Sequence, residues 1–370
     1  MQRRDNPLLK LCSLVYGAGV SLRNYLFNSG LLREHHYDIP LICVGNITVG
    51  GTGKTPHIEL IIELLRPSYR LAVISRGYKR SSRGLQDVTP GASVQQIGDE
   101  PKQLSLKYPE VRLIVDGDRR RAMRYLMALP EAERPEVVLL DDGFQHRYVH
   151  PSFSILLIDA SRELHEDSLL PAGNLREPAS ARYRADCIIM TKCPEDMSPI
   201  QMRIMQRNLA LYPHQQIFFS HICYHRPHRL RSLAGTASSH RGGELPDGVR
   251  LVALSGIAAP QSFHSYLESK YRLIERLVYP DHHSYRSRDL SAIAQRYEAL
   301  RAQSPDPLYL MTTEKDAVRL VELQDELPAE LVGRRSSISG RPSSRCCSAQ
   351  PVLSRQRRDA EQYELSKSSI

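Results

Sequence analysis

The chain has 370 residues, 41% hydrophobic and 25% charged, the balance of a water-soluble globular protein with room for two domains. No stretch reaches the ~18 consecutive apolar residues of a membrane-spanning helix, and the N-terminal apolar stretch, interrupted by Lys10 and Arg23, does not read as a secretory signal. Seven scattered cysteines without a CxxC pair point to a reduced, cytosolic compartment rather than a disulfide framework.

The formal net charge is +9, but Leu331 to Ile370 carries eight Lys/Arg against three Asp/Glu and so supplies +5 of it. The remaining body is close to neutral for its length. With Trp absent, this argues against a basic, aromatic-lined nucleic-acid surface.

In chain order, Leu8, Leu11, Val15, Leu22 and Leu26 recur at spacings of three, four and seven, predicting an amphipathic helix within Pro7–Leu32. Such a stripe suits either packing on the protein or lying in a lipid headgroup layer with Lys10, Arg23 and Arg33 toward phosphates. Short β-branched runs follow at Leu41–Val44, Arg70–Ile74, Val111–Val115, Val137–Leu140, Phe153–Ile158 and Cys187–Met190. Helix-length segments such as Pro56–Leu65, Pro101–Leu106 and Arg119–Leu129 separate most of them. Continuous apolar strands alternating with helices predict a parallel sheet covered on both faces. The pattern resumes at Gln216–Phe219, Leu251–Leu254 and Leu308–Met311, after a polar junction at His225–Gly248. From Gly333 on, ten serines and many arginines without apolar periodicity predict disorder.

Chemistry concentrates after the first strand. Thr48-Val49-Gly50-Gly51-Thr52-Gly53-Lys54-Thr55 is a glycine-rich turn between a strand and a helix start, the order a P-loop requires. Glycine N–H groups can surround phosphate oxygens, Lys54 would reach the β- and γ-phosphates, and the Thr55 hydroxyl would ligate Mg²⁺. Thr48 stands where the motif's first glycine is usual. Val137–Leu140 runs into Asp141-Asp142, a Walker B pattern in which one acid would hold Mg²⁺ directly or through water. Gly98-Asp99-Glu100-Pro101 is an acidic turn that could be a simple helix cap or part of the site. Asp281-His282-His283 lacks Cys or Glu at zinc-ligand spacing and reads more readily as a surface histidine pair than as a metal centre.

Together these motifs resemble the tetraacyldisaccharide 4'-kinase family, the lipid A 4'-kinases of Gram-negative bacteria, over roughly residues 8–327. The matching signatures are VGNITVGGTGKTP from Val44, SRGYKR from Ser75, GDEP from Gly98, LLDDGFQHR from Leu139, LLPAGNLREP from Leu169, PDHH from Pro280 and TEKDAV from Thr313. The family's own P-loop lacks the first glycine, in keeping with Thr48. The resemblance implies transfer of the ATP γ-phosphate to the 4'-hydroxyl of a tetraacylated disaccharide 1-phosphate, with Mg²⁺, giving lipid IV-A at the cytoplasmic face of the inner membrane. It implies Asp99 as general base with His282 as its partner. Asp141 and Asp142 would be metal-side acids, with Glu100 beside them and Gln145 and His146 lining the pocket. Arg76, Arg119 and Arg176 would neutralise phosphate charge. The implied architecture is an α/β P-loop kinase domain (33–212) and a smaller α/β domain (213–330). A membrane-associating helix (1–32) would precede them, and the Ser/Arg-rich tail (331–370) would follow.

Two other functions fit part of the pattern. A GTP-driven maturation factor would also carry a P-loop, but Thr191-Lys192-Cys193-Pro194 lacks the Asp of a guanine-reading NKxD motif. A nucleotide-gated binding protein would need no catalytic Asp99.

Overall fold

The computed structural model describes residues 6–89, 91–162, 164–224, 227–229 and 245–323, with the backbone of 337–340 and 342–346. Its strands are β1 (Leu41–Gly45), β2 (Leu71–Ser75), β3 (Gln86–Asp87), β4 (Arg112–Val115), β5 (Val137–Asp141), β6 (Phe153–Asp159), β7 (Cys187–Thr191), β8 (Gln216–Tyr224), β9 (His228–Arg229), β10 (Arg250–Ser255), β11 (Arg272–Val278), β12 (Leu308–Thr313), β13 (Ser337–Gly340) and β14 (Pro342–Cys346). The helices are α1 (Pro7–Asn28), α2 (Lys54–Leu65), α3 (Val94–Ile97), α4 (Asp99–Lys107), α5 (Arg119–Met127), α6 (Pro199–Leu209), α7 (Gln261–Lys270), α8 (Ser287–Arg301) and α9 (Glu314–Val321).

Among the described residues the strands form two sheets, ordered β14-β8-β7-β6-β1-β5-β2-β4-β3 and β11-β10-β12-β13-β9. The first is parallel except at its edges, where β3 and β14 pair antiparallel. Its strands are apolar on both faces because each face meets its own core. Leu41 and Cys43 of β1, with Val138 and Leu140 of β5, face one core; Val44, Val137 and Leu139 face the other. The second sheet repeats the device. Val252, Leu254, Leu308 and Leu310 enter one cluster, and Leu251, Ala253, Tyr309 and Met311 the opposite one. An α/β architecture with a mostly parallel sheet is therefore what the continuous apolar runs produce.

The sheet order sets up the site. β1 and β5 are parallel neighbours with Val44 opposite Asp141, so the loop leaving β1 and the acids ending β5 emerge side by side. β2 is the next strand beyond β5 and brings Ser75 to the same edge. Ligands of open parallel sheets gather at this carboxyl edge.

Helix α1 is capped by Asn6, whose side chain accepts from the N–H groups of Leu8 and Leu9, with Pro7 opening its first turn. It docks through small and polar groups. Gly17 lies so close to Leu169 that a Cβ there would come within 2.7 Å of Leu169 Cδ1. The Ser13 hydroxyl donates to Leu169 O (2.9 Å), Tyr16 OH to Arg176 O (2.8 Å) and Arg23 to Gln145 O (2.8 Å). The apolar stripe points the other way: Leu8, Leu11, Leu14, Val15, Leu22 and Tyr25 are all exposed.

Strand positions inferred from sequence fall within a residue or so of the observed starts, but two expectations shift. Gln216–Tyr224, expected to open the smaller domain at 213, is hydrogen-bonded parallel to β7 and belongs to the large sheet. The disordered tail expected from 331 lies mostly outside the described residues; within it, Ser337–Gly340 pairs with β12 and Pro342–Cys346 with β8. These pairings are made by backbone groups, which every residue type carries, so composition does not announce them.

The β1–β5 junction leaves no space for a side chain at Gly45, where a Cβ would meet Phe144 Cβ at 2.6 Å. Gly45→Ala should cost about 1–3 kcal/mol of stability through overpacking, read as a lowered chemical-denaturation midpoint. An unchanged midpoint would contradict this packing.

Candidate active site

The loop after β1 wraps without help from its first position. Thr48 is buried, pairs its backbone with Leu175, and is absent from the residues with positive φ. A glycine is therefore not needed there. It is needed at Gly50 (φ +105°) and Gly53 (φ +84°), where the chain takes conformations that L side chains rarely adopt. Thr52 is also buried and accepts from Asn46 Nδ2 at 2.7 Å. Val49 N–H donates to Asn174 O (2.8 Å), and Arg162 donates to Val49 O (3.0 Å). Val49, Gly50, Gly51, Gly53, Lys54 and Thr55 are left lining a cavity of about 840 Å³. α2 starts at Lys54, so the cavity receives a helix N-terminus with its free N–H groups and positive dipole end.

The opposite wall carries acids. Asp142 is 3.7 Å from Lys54 Nζ and 3.0 Å from Arg176 Nη1. Burial opposes its ionisation, but Lys54 and Arg176 outweigh burial and hold it below the ordinary carboxylate range. Asp141 differs. Ser75 Oγ donates to its Oδ2 at 2.9 Å, while its buried Oδ1 has no hydrogen-bond partner. Burial, with repulsion from Glu100 and Asp142, pushes its carboxyl up to about 7.

An orphaned buried carboxylate oxygen on a wall shared by Glu100, Asp142 and Thr55 fits a cation ligand. Among the described residues no group of three or more His, Cys, Asp or Glu is arranged as a metal cage. Asp141, Asp142 and the Thr55 hydroxyl on that wall are a donor set of the kind Mg²⁺ takes, with one or two carboxylates completed by phosphate oxygens and water.

A second polar centre lies where the two sheets meet. Asp99 opens α4 after Gly98, which is the N-cap, so the acid is not a simple cap. Its Oδ1 accepts the Glu100 N–H (3.1 Å), and its Oδ2 accepts from His282 Nδ1 (2.8 Å) and Arg319 Nη2 (2.5 Å). Lys315 Nζ stands 3.7 Å from Asp99, 3.5 Å from Glu100 and 3.3 Å from His282 Nε2. Burial would raise this carboxyl, yet His282, Lys315 and Arg319 together hold it well below the usual range. His282 and His283 do not form a surface pair. His282 adopts φ +59° and turns toward Asp99, while His283 bonds Asp289 at 3.1 Å.

Arg76, Arg176, Gln145, Glu100 and His282 line the cavity as expected from sequence. Asp99, Arg119 and His146 do not. Asp99 is 5% exposed and lies just behind the wall, flanked by Glu100 and His282, which do line it. Arg119 is buried beneath the strand ends, donating to the carbonyls of Asp116 (2.7 Å) and Asp141 (3.1 Å), and is not part of the cavity wall. It braces the turn rather than meeting phosphate. His146 also lies off the wall; its ring packs edge-on against Tyr148, and burial with nearby Arg119 lowers it to about 4, leaving it neutral. Lys315 and Arg319 were not singled out from sequence, although both fall in or beside the TEKDAV run. Thr313 caps α9 there, and Asp316 pairs with Arg319 one turn on, at 2.9 Å.

A glycine cradle at a helix N-terminus, a strand-end acid pair and a buried carboxylate–histidine couple on one cleft define a P-loop α/β protein built for nucleotide chemistry. The model of the family described as tetraacyldisaccharide-1-P 4'-kinase matches residues 6–338, and the chain belongs to that family. It is 46% identical over 331 residues to the tetraacyldisaccharide 4'-kinase of Porphyromonas gingivalis, covering 90% of each chain. The like-named protein of Phocaeicola vulgatus is 44% identical over 324 residues, 87% of each. Among solved structures, the "apo" form of LpxK from Aquifex aeolicus in complex with ATP superposes with a TM-score of 0.65 at 25% identity, covering 95% of this chain and 96% of that one.

The Asp141 environment has a pH consequence. Its folded value, about 7, lies above the ordinary value of 3.8 that stands for the unfolded chain. Its contribution to stability is therefore intact below 3.8 and lost as pH rises through about 7. Without metal, the melting temperature should fall as pH rises from 3.8 to about 7. Asp141→Asn, which can still accept from Ser75, should fall less. Scanning calorimetry in a chelator checks this; equal slopes for both proteins would contradict it.

Proposed function

We propose that the chain transfers the γ-phosphoryl group of ATP to the 4'-hydroxyl of a tetraacylated disaccharide 1-phosphate, giving the 4'-phosphate ester of lipid A biosynthesis and ADP. Family membership and the names of the relatives support the reaction class. The observation that carries the assignment here is the Asp99–His282 pair at 2.8 Å beside the P-loop cleft.

The glycine N–H groups and Lys54 bind the β- and γ-phosphates, and Arg76 and Arg176 offset charge on the transferring group. Asp99 takes the proton of the acceptor hydroxyl as its oxygen bonds to phosphorus and the bond to the ADP oxygen breaks; His282 orients that carboxylate. Thr55 with Asp141 or Asp142, and Glu100 nearby, would hold Mg²⁺, which supplies charge neutralisation on the phosphates.

An acylated acceptor stays in a bilayer, so the cleft has to come to it. No described helix is long and apolar enough to cross a membrane. α1 instead presents an apolar face while its opposite face bonds Arg176, Gln145 and Leu169, two of which line the cavity. We read α1 as an interfacial helix that seats the enzyme peripherally on the cytoplasmic face of the inner membrane.

Asp99→Ala should lower kcat by roughly 10²–10⁴-fold with ATP affinity little changed; retention of normal turnover would defeat the assignment. Strong preference for GTP over ATP in the same assay would favour a different P-loop NTPase. Leu14→Glu with Leu22→Glu should weaken flotation with anionic vesicles at least about tenfold, since each buried Leu contributes roughly 1.5–3 kcal/mol. Flotation equal to the unsubstituted protein would remove α1 from membrane docking.

A further inference from the structure

Oδ2 of Asp99 meets His282 Nδ1 at 2.8 Å and Arg319 Nη2 at 2.5 Å. Lys315 borders the cavity, so it can meet substrate directly. Neither Arg319 nor Asp99 lines the cavity, and both are buried, whereas His282 and Glu100 on either side of Asp99 do line it; the contact of Arg319 with that group is its bond to Asp99. Its other nitrogen, Nη1, donates to Asp316 Oδ1 (2.9 Å) and to the Gly256 carbonyl (3.2 Å). That same carbonyl accepts the backbone N–H of His282 at 3.2 Å. Asp316, fully buried, is itself fixed by Gly256 N–H (2.9 Å), Thr313 Oγ1 (2.7 Å) and Tyr285 OH (3.2 Å). One anchor therefore sets both donors that grip Oδ2.

We infer that Arg319, seated on Asp316, is a positioning residue that locks Asp99 through Oδ2, so that Oδ1, which accepts the Glu100 N–H at 3.1 Å, turns its second lone pair to the proton of the acceptor hydroxyl. The inference rests on Asp99 being the base of the proposed reaction. The donors come from the second sheet and Asp99 from the first, so the base is oriented only where the two sheets meet. A guanidinium suits the task because its rigid planar fork reaches Asp99 and Asp316 from two separate nitrogens in fixed geometry, whereas an ammonium would have to serve both from one atom. A buried ion pair with a purely structural role would look similar in a static picture, so the test must separate the two.

Arg319→Gln should lower kcat by about 10–100-fold, the scale of a misplaced catalytic group, with the KM for ATP within about threefold. Arg319→Lys should fall between that variant and the unsubstituted protein. Added guanidinium should restore part of the kcat of Arg319→Ala. In an Asp99→Ala background, Arg319→Gln should cause no further loss, because its effect passes through the missing carboxylate. An Arg319→Gln kcat within twofold of normal would overturn the inference, and so would an equal loss with and without Asp99. If Arg319→Gln does not fold by circular dichroism, Arg319→Lys decides: reduced kcat with ATP KM kept supports the inference, and normal kcat overturns it. Normal turnover by Asp99→Ala alone would instead defeat the proposed base, a distinguishable failure.

Discussion

The carboxylate of Asp99 sits on the first turn of α4, packed with the large sheet, yet its ion-pair partners lie beside the smaller one: His282 in the turn after β11, Lys315 and Arg319 on α9. A buried carboxylate without counter-charge costs several kcal/mol, so these two parts of the molecule hold each other in register. Gln103, one turn further along α4, extends the seam by donating to Glu59 on α2 (2.9 Å) and Glu314 on α9 (3.3 Å). The helix that bears the proposed base is thus tied both to the phosphate-loop helix and to the second sheet. Orientation of the base therefore depends on the two sheets meeting as they do here.

The other half of the site follows from strand order. Parallel pairing of β1 with β5 places the glycine loop beside Asp141 and Asp142, and Ser75 from β2 reaches across to Asp141. The two acids are split by their surroundings. Asp142 has Lys54 and Arg176 and is held ionised; Asp141 has a hydroxyl and a bare oxygen, and its charge waits for a cation. A metal–nucleotide complex bound there would offset the cost of ionising Asp141 among Glu100 and Asp142.

Much of this was legible in the sequence because it rests on local rules. Apolar runs gave the strands, the GGTGKT turn gave the loop, and Val137–Asp142 gave the acidic strand end. What stayed hidden depends on long-range contact. Arg119 looks like a phosphate ligand on paper, but its side chain turns inward to two carbonyls. His146 follows the acid pair in sequence yet faces Tyr148. Arg319 is 220 residues from Asp99, and no periodicity links them; only the Asp316–Arg319 spacing on an amphipathic helix hinted at a buried pair. The α1 stripe was visible, but which side of it faced the protein was decided by Ser13 and Gly17, small residues that carry little hydropathy signal.

The central claim is that Mg-ATP held by the loop delivers its terminal phosphate to a sugar alcohol readied by a carboxylate across the cleft. Its most direct measurement is transfer of label from γ-³²P-ATP to a tetraacylated disaccharide 1-phosphate in mixed micelles, comparing the chain with Lys54→Ala. The account predicts a labelled bis-phosphorylated lipid from the former and almost none from the latter. No labelled lipid from the unsubstituted chain, or equal labelling by both proteins, would contradict it.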